Sequence, residues 1–438
     1  MENKRNKKTR GYQNAQKEKR SIEELATLIS NRVATRYNTI TQKNECRWYD
    51  IPGENLPVDL SGMGEFSNMW HDMTDREENT LWAMVSREQN WKSHEVGTLL
   101  RSHITPQWNP LRSFILEAIV HYDSDRDYIA DLARHVHVKP TNDQSDQEAQ
   151  QEFLEYFQRW FVGAVASVLN DSVVNNVILV LIGDQGTYKS TFFSYLLPQE
   201  LRRYFYVKTD NTVLNKDDRI QLSRNMFICL EELDTLSNKE QNQLKAMVTM
   251  PVIQDRPAYG RNFVNLPHVA SLCGTGNNDK FLNDPSGSRR WLPFLIDHID
   301  DPRTYDINYQ RLYSQAFYLS CNNTYRYWFT QEEIKEQNEH NKRFETECIE
   351  EQLIMKYYAQ PTSTDTGVYL TSTEILEKIN GGIKKPLSNQ RIGRVMKKLG
   401  YQTRRTNGIN KYHVKELQYA DIQEYKRKEL TELDCRPF

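Results

Sequence analysis

The sequence predicts an α/β protein with a phosphate-binding-loop (P-loop) core, a helical region before the core and a small winged-helix domain after it. Three observations predict this class. Apolar strand-like segments alternate with helical segments between residues 151 and 335, as in parallel sheets covered by helices. A glycine-containing loop with adjacent lysine and serine follows the first of these strands. Two helical segments and a hairpin pattern follow the core.

Composition limits the classes of protein to which the chain can belong. Its 438 residues are enough for two or three domains, and the net charge of -2 does not mark a nucleic-acid binder overall. The mean hydropathy of -0.77 indicates much exposed surface, flexible ends or surface used by partners. No C-x-x-C pair is present, which favours a reducing cytoplasm over a zinc or disulfide framework. The longest apolar run, VILVLI, is too short to span a membrane.

The pattern divides the chain into six segments. We predict a basic disordered tail (1–20), a helical N-terminal region (21–150), a P-loop ATPase domain (151–335), a helix and linker (336–365), a winged-helix domain (366–416) and a C-terminal tail (417–438).

Three features of the segments before the core lead to further expectations. Ser21 and Glu24 form a capping-box pattern at the first helix, and residues 139–151 are polar enough for a loop. The basic tail could bind nucleic acid, although we interpret it as a solvated tail. His135 and His137 are spaced for a metal, but the sequence offers no further ligands near them, so we interpret them as structural.

The segment LIGDQGTYKSTFF predicts a loop that holds phosphate groups. Gly183, Lys189 and Ser190 fit the pattern G-x-x-x-x-G-K-[ST], but Tyr188 stands where the second glycine is expected. The loop follows a buried strand pattern, and ligands bind at this end of the strands in α/β sheets. We expect Tyr188 to fit if its φ is negative and its side chain points away. The alternative is a chance strand–turn–helix.

Each residue type in this loop has a role in holding ATP. Gly183 and Gly186 permit close backbone approach, so that amide N–H groups can point at phosphate oxygens. Lys189 can place a charge on the β- and γ-phosphates, and the Ser190 hydroxyl can ligate Mg²⁺. The helix from Thr191 directs its positive end at the same anion. The predicted ATP-binding set is Gly183, Asp184, Gln185, Gly186, Thr187, Tyr188, Lys189, Ser190 and Thr191.

Carboxylates follow a second apolar strand in the segment FICLEELD. Hydrolysis needs a metal partner and a group that activates water, in addition to a loop that binds nucleotide. We assign Glu231 to Mg²⁺ and Glu232 to the attacking water, and Asp234 to a helix cap or the surface. The alternative is that both glutamates are solvated acids at a strand end.

An asparagine and two arginines complete the candidate catalytic set. Asn277 follows a third apolar strand, and its amide could hold the attacking water or the γ-phosphate. Arg289 and Arg290 lie in the segment DPSGSRRWLPF. Arginine can stabilise charge on a transferring phosphoryl group, often from a neighbouring subunit. The alternatives are a turn asparagine and a salt-bridged arginine pair.

The order of these blocks resembles a known family. GDQGTYKSTF, EELDTL, LKAMVT, DRPAYGRN and GTGNNDKFLNDPSGSRRWLPF occur in the order of the virulence-associated protein E family, over roughly residues 100–330. That family is similar to superfamily 3 helicases, a branch of the AAA+ ATPases found in phages and mobile elements. The resemblance implies an AAA+-like core, with Walker A roles for Gly183, Lys189 and Ser190, Walker B roles for Glu231 and Glu232, a sensor role for Asn277, and Arg289 or Arg290 as arginine finger.

The resemblance also implies cofactors and partners. It implies ATP and Mg²⁺ as cofactors and single-stranded and duplex DNA as partners. It also implies that identical copies of the chain assemble into a ring such as a hexamer. Tyr188 departs from the usual glycine and Glu231 from the commoner Walker B aspartate, and these departures concern the rate of turnover more than binding. Many relatives carry a primase domain ahead of the ATPase. This sequence shows no such catalytic pattern, so priming would need a separate protein.

The segment between the predicted Walker B and sensor residues combines basic residues with an aromatic residue in a way that suits DNA. In superfamily 3 helicases a hairpin between Walker B and sensor enters the ring pore, and here that segment contains Lys245, Arg256, Tyr259 and Arg261. These cations and the aromatic ring suit backbone contact and base stacking. The alternatives are ordinary surface basicity and, for Arg256, a role at the ATP site.

The last predicted domain has a basic helix and a basic hairpin. In SNQRIGRVMKKLG the apolar residues can face a core while the basic residues face a groove. The pair Asn407–Gly408 predicts a two-residue turn. The predicted DNA contacts of this domain are Arg391, Arg394, Lys397, Arg404 and Arg405. The alternative is a winged helix that binds protein.

These features together predict an ATP-driven, helicase-like motor on DNA that serves the replication of a phage, plasmid or integrated mobile element. Two alternatives remain open. One keeps the ATPase but drops unwinding, as in a DNA-loading or initiator protein. The other is a non-enzymatic DNA-binding regulator with a degenerate nucleotide site.

Overall fold

The computed structural model describes residues 21–49, 69–140, 144–209, 216–255, 263–282, 285–346, 348–362, 367–380, 387–406 and 408–418. The chain divides into two compact units. The first unit comprises residues 1–233, 242–277 and 289–335, and the second comprises residues 234–241, 278–288 and 336–438. Among the described residues, no helix combines the length and apolar character that a membrane crossing requires.

The first unit begins with a small sheet and three helices. Its elements are α1 (Ile22–Ser30), β1 (Val33–Asn38), β2 (Lys43–Trp48), β3 (His71–Asp72), α2 (Asp75–Glu88), α3 (Ser93–Leu100) and β4 (Gln107–Trp108). The sheet has the order β3-β2-β1-β4. Both bonds of the predicted capping box are present at α1, from Ser21 and Glu24.

The strands β1 and β2 show that the expectation of a helical N-terminal region was wrong for this part. They form an antiparallel hairpin in which Val33 pairs with Trp48. Cys46 and Trp48 alternate onto the buried face, with 0% and 6% of their surface exposed. The apolar alternation has period two but covers only a few residues, so the stronger helical periodicity around it obscured the strands.

A long helix connects this region to the central sheet. The elements here are α4 (Pro110–Ala118), α5 (Tyr128–Ala133), β5 (Val136–Val138) and α6 (Asp146–Leu169). Helix α6 begins at Asp146, inside the segment predicted as a loop and before the predicted domain boundary at residue 151. The reason is a capping box, in which Ser145 accepts from the Glu148 N–H and Glu148 bonds back to Ser145.

The centre of the first unit is a six-stranded sheet of order β5-β12-β6-β11-β8-β7. All neighbouring strands are parallel except β5, which pairs antiparallel with β12. This confirms the predicted mixture of helices and parallel strands. The elements from the first central strand onward are β6 (Ile178–Ile182), α7 (Lys189–Ser194), β7 (Phe205–Lys208), α8 (Lys216–Arg224), β8 (Phe227–Leu230), α9 (Asn238–Met247), β9 (Val252–Asp255), β10 (Val264–Pro267), β11 (Ser271–Gly276), β12 (Trp291–Ile299) and α10 (Tyr309–Cys321).

Helix α6 holds the sheet in place through its buried aromatic face. Trp160 is fully buried, and its indole N–H donates to the Leu272 carbonyl at 3.0 Å. The Asn175 amide donates to the Trp160 carbonyl at 2.9 Å and to the Ser271 hydroxyl at 3.0 Å. Strands β6 and β8 are buried along their whole length. Burial on both faces explains why these strands read as continuous apolar runs.

The second unit ends with the predicted order of two helices followed by a hairpin, and further elements precede these. Its elements are α11 (Gln331–Asn341), which begins in the first unit, α12 (Ile349–Tyr357), β13 (Tyr358–Ala359), β14 (Val368–Thr371), α13 (Ser372–Ile379), α14 (Asn389–Lys398), β15 (Thr403–Thr406) and β16 (Ile409–Glu416). Thr406 pairs with Ile409, which leaves two residues for the predicted turn, and Gly408 has φ 77°.

The core of the second unit extends before the predicted domain boundary at residue 366. Ile354 and Tyr358 are buried in the same cluster as Ile375 and Ile392. Strand β13 also pairs with β16. Part of the segment predicted as helix and linker therefore belongs to this core, because its apolar residues complete a small domain that is otherwise short of buried surface.

Candidate functional site

Three neighbouring parallel strands bring the predicted site residues to one edge of the central sheet. Gly183 follows β6, Asn277 follows β11 and Glu231 follows β8. Strand β11 pairs with both of the others, with Gly276 opposite Ile182 on one side. The carboxyl ends of adjacent parallel strands meet at the same edge, which is where α/β proteins bind ligands. The three segments therefore lie together at one edge of the sheet.

The two glycines of the loop are required for different structural reasons. A Cβ on Gly183 would lie 2.8 Å from Ile296 Cγ1 and 2.9 Å from the Ile296 carbonyl oxygen, so β12 leaves room only for glycine. Gly186 has φ 84°, where L residues are strained, and a Cβ built there meets no atom of the described chain within 4 Å. Strand β12 therefore closes the loop at Gly183, and we call this contact the floor of the loop. At Gly186 the loop has an open side.

Lys189 lies at the start of α7 and directs its ammonium into the loop. The side chain is 8% exposed. Its Nζ donates to the carbonyl oxygens of Gly183 and Asp184, each at 2.6 Å, and lies 3.3 Å from Asn277 Oδ1. Thr187 supports the same turn, because its hydroxyl donates to the Asp184 carbonyl at 2.8 Å. A cation thus sits at the point where the loop and the end of β11 meet.

Ser190 and Glu231 form a direct hydroxyl–carboxylate pair. The Ser190 hydroxyl donates to Glu231 Oε1 at 2.7 Å. Mg²⁺ prefers oxygen ligands of these two kinds. The pair therefore fits the predicted magnesium site, with both oxygens beside the loop that holds Lys189.

Glu232 occupies an unusual backbone conformation. Its φ is 54°, in the left-handed region, and its side chain is exposed. The turn directs the next residue, Leu233, back onto β11, where a Cβ on Gly274 would lie 2.1 Å from Leu233 Cδ1. Left-handed non-glycine residues concentrate at functional sites. The sequence did not reveal that Gly274 makes room for Leu233, because the two residues are distant along the chain.

Tyr188 differs from the expectation in its backbone. Its φ is 60° and its ψ is 18°, so it adopts the left-handed conformation, and the expectation of a negative φ was wrong. Its side chain is 38% exposed and lies beside Arg303, whose Cζ is 5.8 Å from the ring centroid. The loop keeps the backbone shape that a glycine normally supplies.

Because tyrosine is strained in this conformation, Tyr188→Gly should stabilise the protein by up to about 1 kcal/mol. Tyr188→Ile should destabilise it, since a β-branched residue tolerates positive φ least. Urea unfolding of the three proteins measures both changes. An isoleucine variant as stable as the glycine variant would contradict the left-handed assignment.

The two residues predicted as arginine finger lie at the opposite edge of the sheet, where the amino ends of β6 and β12 meet. They directly precede β12, whose first residue, Trp291, pairs with Ile178 at the start of β6. The loop follows the end of the same strand, about 16 Å further along at 3.3 Å per residue. The structure therefore does not bring Arg289 or Arg290 to the loop of its own chain.

The environments of these two arginines also differ. Arg289 is exposed, whereas Arg290 is half-buried. Burial, followed by the charge of Arg289, lowers the pKa of the Arg290 guanidinium from its usual value. Its Nε is buried and has no hydrogen-bond partner among the described residues. Arg289 is thus the better placed of the two for contact with another molecule.

The residues predicted for a DNA hairpin are only partly described. Strands β9 and β10 pair antiparallel, with Asp255 opposite Val264, and form the arms of a hairpin. Arg256, Tyr259 and Arg261 lie outside the described residues. Lys245 lies in α9 and is only 7% exposed, which does not favour the direct DNA contact predicted for it.

In the second unit, the basic residues of α14 lie opposite its buried face. Ile392, Val395 and Met396 are buried, as predicted. Arg391, Arg394 and Lys397 are exposed, and so are Arg404 and Arg405 on β15. Arg391 Nη1 lies 3.6 Å from Glu350 Oε1, so part of its charge is neutralised within the unit.

Known proteins resemble this chain at the level of structure and domain. The apo structure of the NrS-1 C terminal region (305–718) has a TM-score of 0.44 and 12% identity, and covers 89% of this chain and 97% of that chain. The A form apo structure of the same region has a TM-score of 0.42 and 11% identity, with 89% and 98% covered. No curated protein matches.

The family comparison agrees with the motif order. The model described as virulence-associated protein E-like domain matches residues 135–346. This range contains the loop, both glutamates, Asn277 and both arginines, and it extends further toward the C-terminus than the range over which the motifs resemble the family. Residues 135–346 of this chain are therefore similar to the virulence-associated protein E-like domain, the family that its sequence motifs also resemble.

Proposed function

We propose that this protein is an ATP-hydrolysing motor of the DNA helicase type, which serves replication of a phage, plasmid or integrated mobile element. One observation carries the proposal. At one sheet edge, Lys189 lies within hydrogen-bond distance of Asn277, which follows β11, and the adjacent Ser190 lies within hydrogen-bond distance of Glu231, which follows β8. The virulence-associated protein E-like domain supports the same conclusion. The strand order, with β11 between the loop strand and the glutamate strand, is compatible with an AAA+-like core.

In this proposal the loop residues bind the phosphates of ATP. Lys189 exchanges the carbonyls of Gly183 and Asp184 for β- and γ-phosphate oxygens, which carry more negative charge. The backbone around Gly186 approaches the phosphates on its open side. Ser190 and Glu231 hold Mg²⁺, which neutralises charge that develops on the phosphates.

The remaining polar residues act on the attacking water. Glu232 follows the metal ligand directly, and its exposed carboxylate can accept a proton from water. Asn277 lies beside the Lys189 ammonium and can orient the water or the γ-phosphate through its amide. Glu231 is engaged by the Ser190 hydroxyl, whereas the side chain of Glu232 is exposed, which suits two different tasks.

We further propose that the active form is a ring of identical subunits. Arg289 lies at the sheet edge opposite the loop, so it can act as an arginine finger only on a neighbouring copy. A head-to-tail contact of this kind closes into a ring when the rotation between subunits permits it. A hexamer is the ring size implied by the helicase relationship.

DNA contacts would come from two places in this proposal. The β9–β10 hairpin carries Arg256, Tyr259 and Arg261 in the segment beyond its described arms, where they would track a single strand. In the second unit, which we propose to be a winged helix, α14 and the β15–β16 hairpin would contact duplex phosphates.

We expect Arg394→Ala combined with Lys397→Ala to weaken duplex binding. Loss of two phosphate contacts should make the slope of log affinity against log salt shallower by about 1.8. Fluorescence anisotropy with a labelled duplex at several salt concentrations measures this slope. Lys356→Ala with Lys378→Ala removes the same charge elsewhere in the unit and should leave the slope unchanged. An unaltered slope in the first variant would make the domain a protein-docking module.

The proposal as a whole is tested by turnover and unwinding. If the protein is a motor, it should hydrolyse ATP, with and without single-stranded DNA, and it should also unwind forked DNA. Turnover without unwinding would favour a DNA-loading or initiator ATPase. Absence of turnover in a protein that binds DNA would leave a regulator with a degenerate nucleotide site.

A further inference from the structure

A second group of ligand-type side chains lies where β5 pairs with β12. His137 of β5 and His298 of β12 are register partners in this antiparallel pair. Their rings stack with centroids 4.0 Å apart and an interplanar angle of 12°. Asp300 follows β12, and one ligand atom from each of the three residues lies within 4.8 Å of the others.

The atoms that face one another are two imidazole nitrogens and one carboxylate oxygen. His137 Nε2 lies 3.2 Å from Asp300 Oδ1, and His298 Nε2 lies 3.9 Å from the same oxygen. The three side chains are 43%, 53% and 41% exposed, so an ion can reach them from solvent. Two imidazoles and one carboxylate are a donor set that zinc and other first-row divalent ions accept.

Two further side chains orient this set. His298 Nδ1 lies 2.9 Å from Asp297 Oδ2, so its N–H can be engaged there while Nε2 is left as a lone-pair donor. His135 Nδ1 lies 2.8 Å from Asp300 Oδ2, which holds the carboxylate with Oδ1 toward the two imidazoles. Metal-binding histidines and carboxylates typically have such outer partners.

A hydrogen bond accounts for one of these contacts but not for the other. His137 Nε2 lies within hydrogen-bond distance of Asp300 Oδ1, at 3.2 Å, whereas His298 Nε2 lies beyond it, at 3.9 Å from the same oxygen. A divalent cation could accept electron pairs from all three atoms once the two rings turn out of their stack, because the lone pair of a ring nitrogen lies in the ring plane.

We propose that His137, His298 and Asp300 bind one divalent first-row transition ion, with Zn²⁺ as the representative, and that His135 and Asp297 position two of these ligands. The ion would tie the edge strand β5 to β12. Ile296, two residues before His298, packs against Gly183, so the ion would also brace the floor of the loop.

The other metal-type cluster of the described residues provides a comparison. Cys46, His71 and Glu77 also lie close together, but Cys46 is completely buried. Glu77 Oε1 already engages His71 Nε2 at 2.6 Å and accepts from the Trp48 indole at 3.1 Å. This cluster is satisfied by its own hydrogen bonds, so we expect it to bind no ion.

The test is a calorimetric titration of Zn²⁺ into the metal-stripped, tag-free full chain, with excess Mg²⁺ to saturate oxygen-rich sites. We expect one equivalent to bind to the parental protein and to Cys46→Ser, and none to His298→Ala or His137→Ala. His135→Ala should still bind, about 10-fold more weakly. His121→Ala removes an exposed histidine elsewhere and should bind normally.

Two further readouts make the result independent of activity. Co²⁺ should give a visible absorption band with the parental protein and lose it in His298→Ala. Zn²⁺ should raise the melting temperature of the parental protein but not that of this variant. Circular dichroism checks that the variants are folded. Absence of binding to the parental protein, or loss of binding in Cys46→Ser with retention in His298→Ala, would overturn the proposal.

Discussion

Replacing Lys189 by alanine is expected to reduce ATP turnover by about 100-fold or more and to weaken nucleotide binding, while the fold survives. The ammonium is the cation that the structure directs into the loop, at 2.6 Å from two of its carbonyl oxygens. Without it, the β- and γ-phosphates would lose their main positive partner. The sheet should remain intact, because its strands are held by the packing of α6 and by their own ladders.

Turnover by phosphate release and binding of a fluorescent ATP analogue measure the two effects of Lys189→Ala. Lys335→Ala, which removes an exposed lysine from α11, is the matched control. Circular dichroism separates loss of function from loss of fold. Hydrolysis at the parental rate in the Lys189 variant would remove the basis of the nucleotide site.

The same variant also tests whether Arg289 acts between subunits. Arg289→Ala and Lys189→Ala should each be nearly inactive alone. When they are mixed and allowed to exchange subunits, some sites pair an intact loop with an intact arginine from a neighbour, so part of the activity should return. If mixing restores none although exchange is demonstrated, Arg289 has no role in the neighbouring site.

Glu232→Gln should hold ATP and still assemble but hydrolyse it about 100-fold or more slowly. Glutamine keeps the size and hydrogen-bonding capacity of the side chain but cannot accept the proton of the attacking water. Glu231→Gln should differ in kind, because Glu231 accepts the hydrogen bond of Ser190 at the proposed magnesium site. Its main effect should be a higher Mg²⁺ requirement.

Single-turnover hydrolysis and ATP binding over a range of Mg²⁺ concentrations distinguish the two glutamates. Glu117→Gln, at an exposed position of α4, provides the control for a lost carboxylate. Normal turnover in Glu232→Gln together with slow turnover in Glu231→Gln at saturating Mg²⁺ would reverse the two assignments.

The local features of this protein could be predicted from its sequence because each depends on neighbouring residues. The capping box of Ser21 and Glu24 and the turn before Ile409 are examples. The order strand, loop, helix around Lys189 is another, since a buried strand and a glycine-containing turn are contiguous in sequence. The convergence of Glu231 and Asn277 followed from the general rule that parallel strands end at one edge.

Features that depend on distant pairing could not be predicted in this way. The pair His135–His137 is visible in the sequence, but Asp300 reaches it only because β5 pairs with β12. The sequence also gives no sign that Arg289 and the loop lie at opposite sheet edges. That separation results from the parallel pairing of β12 with β6, which places equivalent ends of the two strands together.

The left-handed Tyr188 affects how relatives of this loop can be recognised. The sequence pattern G-x-x-x-x-G-K-[ST] requires glycine before the lysine and does not match this chain, although the backbone here makes the turn that the glycine provides. A search by torsion angles would find it. Over evolutionary time the shape of the loop can therefore outlast its signature residue, provided that the strain of the replacement is small compared with the stability of the whole domain.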